Sequence, residues 1–333
     1  RAAFDHRHIF IDPDPDPEVS FQERARLFAL PRSSWADYDA KLISKGGGVF
    51  PRSAKTIPLS AEMKTLLELP DGRAEPAAIM RAILKMPVDL LYFGGIGTYA
   101  KASTESQAAA GDRANDAIRV DGRDIRARVV GEGANLGFTQ AARVEAAEAG
   151  VRIDTDALDN SAGVDTSDHE VNIKILLGGA IAAGDLTLKR RDVLLRAMTD
   201  DVGTHVLRTN FQQALSMSLD QAEGEGALPA QARLMEILEK ADALDRGVAG
   251  LPDAAALRGR TRLTRPELCV LMPYTKLWLS DALLDSDLPD DPALAEDLVE
   301  YFPPQLREEF AAGIASHRLR RELVAMLLTN DLV

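Results

Sequence analysis

The sequence predicts an α/β fold: a doubly wound parallel sheet, followed by an all-helical C-terminal domain. Three observations predict it. Strand and helix signals alternate over residues 1–172, at a spacing that favours parallel strands joined by helical crossovers. Helical periodicity replaces this alternation over residues 173–333. The chain also begins inside a strand signal and without methionine, so we expect a piece of a longer polypeptide.

The elements of the first part follow from short apolar runs and helix caps. Ala2, Ala3 and Phe4 end a strand, and the Asp-Pro repeat at residues 12–17 should break it as a stiff loop, because proline fixes φ and lacks a donor. Ser60 should cap a helix. Further along we expect a strand at 88–93, a polar helix around 103–118, a strand at 125–129, a helix from 139 to 150 and a strand at 151–153.

The second part carries six long stretches with helical periodicity between residue 168 and the C-terminus. Thr264 and Glu267 form the pattern of a capping box, which predicts that a helix begins there. The polar, glycine-containing stretch at residues 220–229 predicts a break between helices.

Composition excludes several classes of protein. The 333 residues contain 52 acidic and 39 basic side chains, for a net charge of −13, so a nucleic-acid-binding or anionic-membrane-binding surface is not expected. No run approaches eighteen apolar residues, so no membrane-spanning helix is expected. Cys269 is the only cysteine, which excludes an internal disulfide and favours a cytoplasmic location.

One stretch poses a question about cofactor binding. Residues 95–100 read G-I-G-T-Y-A, follow an apolar run and precede Asp116 by about twenty residues, as in the dinucleotide-binding fingerprint. Gly95 and Gly97 are therefore candidate cofactor residues. Whether they cradle phosphates depends on the position of this strand in the sheet.

Two further stretches combine small and polar residues. "GEGANLGFT" lies between a strand and a helix, where Asn135 could contact a ligand or belong to an ordinary βα turn. "DNSAGVDTSDHE" places Asn160, Ser161, Thr166 and Ser167 around a glycine-containing turn before a helix. Such a turn suits an anion, although simple N-capping by Ser167 or Asp168 explains it equally well.

Asp5 ends the first strand fragment, where it could bond ribose hydroxyls or merely stabilise a turn. His6 and His8 could point the same way and bind a metal ion, but no third ligand is evident, so we interpret them as polar surface residues and predict no metal site.

Together these stretches resemble the glutamate dehydrogenase superfamily, whose cofactor domain carries E-G-A-N before a helix and then an N-A-G-G-V-type turn. Asn160 and Ser167 keep the superfamily offset of seven residues, whereas Ser161-Ala162-Gly163 departs from the usual alanine and two glycines. The chain is more closely similar to the large bacterial NAD-specific glutamate dehydrogenases, through "AAFDHRHIFIDP", "SKGGGVFPRSAKTIPLS", "DLLYFGGIGTYAKASTES" and "HRLRRELVA". This resemblance covers essentially the whole chain.

The resemblance implies a truncated Rossmann-like domain at 1–172 whose first strand and phosphate loop lie upstream, with a helical domain at 173–333. It implies NAD as cofactor, with Asp5 on the adenosine ribose, Asn135 on the nicotinamide ribose and Asn160 on the carboxamide or the substrate amino-acid end. Ser167 would bind the γ-carboxylate of glutamate. Gly95 and Gly97 would then lie near the nicotinamide half rather than at the pyrophosphate.

The implied reaction is oxidative deamination of L-glutamate to 2-oxoglutarate and ammonia. The family's catalytic lysine and aspartate lie upstream, so no catalytic acid or base is assigned here, and Lys101 is interpreted as structural or phosphate-facing. We expect the isolated chain to be inactive and the full-length protein to be a homo-oligomer. Two alternatives stay open: a related dehydrogenase of another amino acid such as leucine, or a non-catalytic regulatory or oligomerisation module.

Overall fold

The computed structural model describes all residues from Arg1 to Val333. The chain divides into two units, Arg1–Ile153 and Asp154–Val333. The boundary expected between residues 172 and 173 differs from this division. That position lies inside a continuous helix, Ser161–Ala183. The segment expected to be a turn is the first two turns of that helix. Its one glycine, Gly163, costs a helix only about 1 kcal/mol relative to alanine.

The first unit opens with an antiparallel sheet of β1 (Ala2–Phe4), β2 (His8–Ile11) and β3 (Gly48–Pro51). The prediction that the Asp-Pro repeat ends the first strand is wrong. The chain turns back at Asp5, whose carboxylate accepts hydrogen bonds from the amides of Arg7 and His8, both at 2.6 Å. The repeat instead starts a helix that was not predicted, α1 (Pro17–Ala29), with Asp16 as its N-cap.

A short antiparallel ladder follows, between β4 (Ile57–Pro58) and β5 (Arg73–Ala74). It encloses α2 (Ala61–Leu67), and Ser60 caps this helix as predicted by accepting a hydrogen bond from the Met63 amide. Next comes α3 (Pro76–Leu84), one face of which is buried against the apolar cluster around Ile9 and Ile57.

The rest of the unit contains parallel pairs, which confirms the prediction of parallel strands. The elements are β6 (Leu90–Phe93), β7 (Ala100–Lys101), β8 (Val120–Asp121), β9 (Val129–Glu132), α4 (Gln140–Glu148) and β10 (Arg152–Ile153). Three of the strands lie side by side in the order β10-β9-β6, and a separate parallel pair joins β7 to β8. The helix α4 connects β9 to β10.

Two predictions in this region are wrong. Residues 103–118 contain turns and a single 3-10 helix, Arg113–Asn115, in place of the polar helix. The buried Arg119 explains the difference, because its guanidinium donates to the carbonyls of Thr98 and Asp112 and thereby stabilises an irregular path. The strand expected at 125–129 begins only at Val129, although Ile125 and Ala127 are buried.

The second unit is helical throughout, as predicted. The Thr264–Glu267 capping box is present at the start of α11 (Arg265–Leu284), and the expected polar break at 220–229 is a short 3-10 turn, Gly224–Gly226. None of the helices is both long and apolar enough to cross a bilayer. They are α5 (Asp156–Asp159), α6 (Ser161–Ala183), α7 (Leu188–Ala197), α8 (Thr199–Glu223), α9 (Leu228–Lys240), α10 (Arg246–Ala249), α11 (Arg265–Leu284), α12 (Ala295–Tyr301), α13 (Pro304–Arg307), α14 (Ala311–Ala315) and α15 (Arg320–Leu332).

Candidate functional site

The carboxyl ends of β6 and β9 lie side by side, with Phe93 opposite Glu132. The loops that follow them also meet: the Tyr99 amide donates to the Gly137 carbonyl at 2.8 Å, and Ala100 bridges to Phe138. In parallel α/β sheets ligands bind beyond this end of the strands. The two glycine-containing stretches identified in the sequence therefore border one candidate site.

A buried ion pair holds the turn that carries Asn135. Glu132 is fully buried at the end of β9, and its carboxylate accepts two hydrogen bonds from Arg143 of α4, at 2.7 and 3.0 Å. It also accepts the Phe138 amide at 3.1 Å. Asn135 is exposed at the tip of this turn. The turn is thus anchored at its base, while the predicted cofactor residue faces solvent.

The G-I-G-T-Y-A stretch does not open a helix. Gly97 has φ = +120°, a conformation that favours glycine, and a Cβ there would lie 2.5 Å from the side-chain amide nitrogen of Asn115. The Thr98 amide donates to Asp112 at 2.8 Å. In the fingerprint a helix N-terminus faces the pyrophosphate directly after the glycines. Here β7 follows instead, which supports our interpretation that this stretch is not the phosphate loop.

A groove of about 1110 Å³ lies between β1 and β6. Asp5 and Gly95 line it, whereas Gly97 does not. Each of these two strands pairs on one side only, since β1 pairs with β2 and β6 with β9. Five arginines also line the groove and were missed in the sequence, where they are scattered and carry no motif: Arg1, Arg24, Arg52, Arg126 and Arg128.

Lys101 takes part in an ion pair rather than facing a ligand. Its ammonium lies 2.5 Å from the Asp121 carboxylate, and its side chain is only 12% exposed. This pair joins β7 to the neighbouring β8. A lysine neutralised in this way suits a structural role.

In the second unit, Asn160 and Ser167 both belong to the start of α6. Asn160 is half-buried at the N-cap, and Ser167 is exposed two turns later. Seven residues correspond to nearly two helical turns, so the two side chains share one face about 10 Å apart along the axis. The Ser167 hydroxyl donates to the Gly163 carbonyl at 3.4 Å. The hydroxyl thus stays accessible on the helix surface.

The second unit also contains a buried stack of rings that the scattered histidines did not predict. His169 lies between Tyr301, with ring centroids 4.4 Å apart, and His205, at 5.3 Å. Burial lowers the pKa of His169 to about 4, with the nearby His205 contributing in the same direction. Tyr301 accepts a hydrogen bond from the Asn172 amide at 3.0 Å. The rings are packed as neutral groups.

Cys269 is buried in the second unit, on α11. Burial and the neighbouring Asp154, whose carboxylate lies 3.8 Å from the sulfur, raise the pKa of the thiol. Across the chain, no group of three or more histidine, cysteine, aspartate or glutamate side chains is placed to hold a metal ion.

Comparison with known proteins gives the same family along the whole sequence. A family model described as bacterial NAD-glutamate dehydrogenase, catalytic domain, matches residues 1–220, and one described as glutamate dehydrogenase, C-terminal, matches residues 260–333. The chain is 52% identical to the NAD-specific glutamate dehydrogenase of Pseudomonas aeruginosa, 50% to that of Mycobacterium tuberculosis and 48% to that of Halomonas elongata.

Each of these alignments covers 100% of this chain but only 21% of the relative, so the chain spans about a fifth of the length of the curated relatives it matches. The family model that matches residues 1–220 covers more than half of the chain. The chain therefore belongs to the bacterial NAD-glutamate dehydrogenase family.

Proposed function

We propose that the full-length protein is an NAD-dependent glutamate dehydrogenase that works in the cytoplasm as a homo-oligomer, and that this chain supplies part of its cofactor domain and a helical region. The observation that carries the proposal is the 48–52% identity over the entire chain to NAD-specific glutamate dehydrogenases. The parallel strands β6 and β9, with glycine-containing turns at their carboxyl ends, support it independently.

The residues of the first unit fit a dinucleotide. Arg24 and Arg52 line the groove and offer cations to phosphates, while Asp5 beside them offers a carboxylate to ribose hydroxyls. Since Oδ1 of Asp5 already binds two backbone amides, the ribose would use the other oxygen. A carboxylate there would repel a 2′-phosphate, which favours NAD over NADP. Asn135 would contact the nicotinamide ribose, with Gly95 and Gly97 in the adjacent loop.

In the second unit, the face of α6 that carries Asn160 and Ser167 fits an amino-acid substrate. Asn160 would hold the carboxamide of the cofactor or the amino-acid end of the substrate, and the exposed Ser167 hydroxyl would bind the γ-carboxylate. Bound NAD supplies the acceptor for the hydride that leaves the substrate α-carbon. The residues of this chain would act by binding and orientation alone.

We also propose that a strand from the rest of the polypeptide fills the groove between β1 and β6, completing a Rossmann-like sheet. Unpaired strand edges bind further strands readily, and parallel sheets are normally covered on both faces. Leu90 and Tyr92 of β6, which are 58% and 64% exposed, fit a surface that another part of the protein covers.

Hydrogen exchange tests the added strand. Amides of β6 should exchange fast in the isolated chain and at least tenfold more slowly in the full-length protein, because an inserted strand binds the free edge. The matched control is β9, which is paired on both sides already and should be protected in both proteins. Equal exchange of β6 in the two proteins would refute the insertion.

Steady-state kinetics of the full-length enzyme test the function. We expect NAD-dependent oxidation of glutamate, and no activity from the isolated chain. Ser167→Ala should raise the KM for glutamate about tenfold or more, as expected for a lost hydrogen bond to a charged group. Ser316→Ala is the matched control, since Ser316, at the C-cap of α14, is also an exposed serine that donates to the carbonyl four residues earlier.

Two outcomes would favour the alternatives. Turnover of leucine but not glutamate would indicate a different amino-acid dehydrogenase. Unchanged NAD binding after Asn135→Ala and Asn160→Ala would favour a regulatory or oligomerisation module. An oligomerisation module would need a contact surface, for which the exposed apolar row on α8 formed by Leu207, Phe211 and Leu215 is a candidate.

A further inference from the structure

The corner between α5 and α6 is held by side chains of α8. Asn160 is at once the last residue of this corner and the N-cap of α6. The Asn210 amide of α8 donates to the Leu158 carbonyl at 3.0 Å and to the Ser161 hydroxyl at 2.8 Å. One side chain therefore bonds the backbone before Asn160 and the side chain after it.

A second amide of α8 reaches the same hydroxyl. Gln213 lies three residues after Asn210, on the same face of the helix, and its side chain donates to Ser161 at 3.4 Å. Leu158 fixes the corner from the other side, because its side chain is buried in the apolar cluster that includes Met217 and Met235. The corner thus combines an apolar anchor with a polar clamp.

This clamp accounts for a departure noted in the sequence. Ser161 stands where the superfamily turn has alanine, and an alanine could accept neither of the two amide hydrogen bonds. The substitution of serine at this position is therefore matched by the amides on α8.

We propose that Ser161, Asn210 and Gln213 are positioning residues that fix Asn160 for the reaction. The proposal rests on the proposed role of Asn160 in binding the cofactor or substrate. Displacement of a binding group by about 1 Å can reduce activity roughly a hundredfold. Asn160 is the single residue between α5 and α6, so the relative placement of these two helices sets the position of its side chain.

The test is a double-mutant cycle in the full-length enzyme. Asn160→Ala should lower kcat/KM roughly a hundredfold, and Asn210→Ala should lower it about tenfold or more with the same division between kcat and KM. In the Asn160→Ala background, Asn210→Ala should cause no further loss. Ser161→Ala should cost a few-fold, and Asn210→Asp should not restore activity, because a carboxylate cannot donate.

Thr204→Ala is the control, since Thr204 is on the same helix but donates only to the carbonyl of Asp200. Thermal unfolding of each variant shows whether it folds. Full activity of Asn210→Ala, or losses that multiply in the double variant, would overturn the clamp while leaving the dehydrogenase function intact. Absence of glutamate oxidation by the wild type, or full activity of Asn160→Ala, would instead overturn the function on which the clamp depends.

Discussion

The two units share one way of burying polar groups and differ in another. Both bury ion pairs, such as Glu132 with Arg143 at 2.7 Å in the first unit and Glu267 with Arg260 at 2.5 Å in the second. The buried histidines, by contrast, belong to the second unit, where the ring stack of His169 and Tyr301 is neutral and Asn172 and His317 extend it by hydrogen bonds. A buried ion pair destabilises the fold when either partner is removed, whereas a buried neutral imidazole destabilises it when the ring gains a proton.

The difference indicates which change should destabilise each unit, and the two tryptophans allow the unfolding of each unit to be measured. Trp35 stacks on Phe10 in the first unit, and Trp278 lies on α11 in the second. Single-tryptophan variants, Trp278→Phe and Trp35→Phe, therefore report unfolding of the first and second units separately.

The largest effect is expected from breaking the buried pair of the first unit. Arg143→Met should lower the free energy of unfolding by about 3–5 kcal/mol, because it leaves the fully buried Glu132 without its guanidinium partner. Denaturant titration followed by Trp35 fluorescence measures the loss. The control is Arg128→Met, whose ion pair with Asp89 is exposed and should contribute less than about 1 kcal/mol. Equal losses in the two variants would contradict this account.

A smaller effect is expected when the second unit is acidified. The folded-state pKa of His169 is about 4, below the usual 6.5, so the unfolded state takes up the proton first. Stability is therefore complete above pH 6.5 and falls as the pH drops towards 4, by about 2–3 kcal/mol. Asp165 partly offsets this loss, because burial raises the pKa of its carboxyl.

The first unit should respond at a lower pH. There the pKa of Glu23 is lowered to about 2 by its hydrogen bond to Arg26. That contribution is present above pH 4.5 and is lost only as the pH falls towards 2. The second unit, reported by Trp278, should thus lose stability at a higher pH than the first unit, reported by Trp35. His169→Phe should keep the stacking and reduce the loss of stability in the Trp278 profile between pH 6.5 and 4. His205 and His317, whose pKa values burial also lowers, retain part of that loss. Loss of stability at a higher pH in the first unit than in the second would exclude this explanation.

The smallest effect is expected from removing a helix cap. Each removal should lower the free energy of unfolding of only the unit that contains the cap. Thr139→Ala removes the cap of α4 and Thr264→Ala that of α11, at a cost of about 1 kcal/mol each. Trp35 should report the first loss and Trp278 the second. A loss of similar size at both tryptophans would show that the two units unfold together.

These caps also show what the sequence can reveal. Ser60 and Thr139 each accept a hydrogen bond from the backbone amide three residues later, and Glu267 accepts one from the Thr264 amide, so these helices were predictable from local patterns. The parallel pairing of strands followed similarly from the alternation of strands and helices. Local motifs indicated the candidate residues, and the family resemblance supplied their expected roles. The structure places these residues in loops and in the first two turns of α6.

What could not be predicted depends on partners distant in sequence. Arg119 bonds Thr98, twenty-one residues away, and so replaces an expected helix by a loop. His169 and Tyr301 are separated by more than a hundred residues, and no local pattern connects them. The groove arginines are likewise brought together only by the fold.

The single buried cysteine has a practical consequence. Because Cys269 is enclosed and the pKa of its thiol is raised, it stays largely protonated and reacts slowly with maleimides and other thiol reagents. A cysteine introduced on the surface would then be the one fast-reacting thiol in the chain. The natural sequence is therefore already a suitable background for attaching a spin label or a fluorophore at a chosen position.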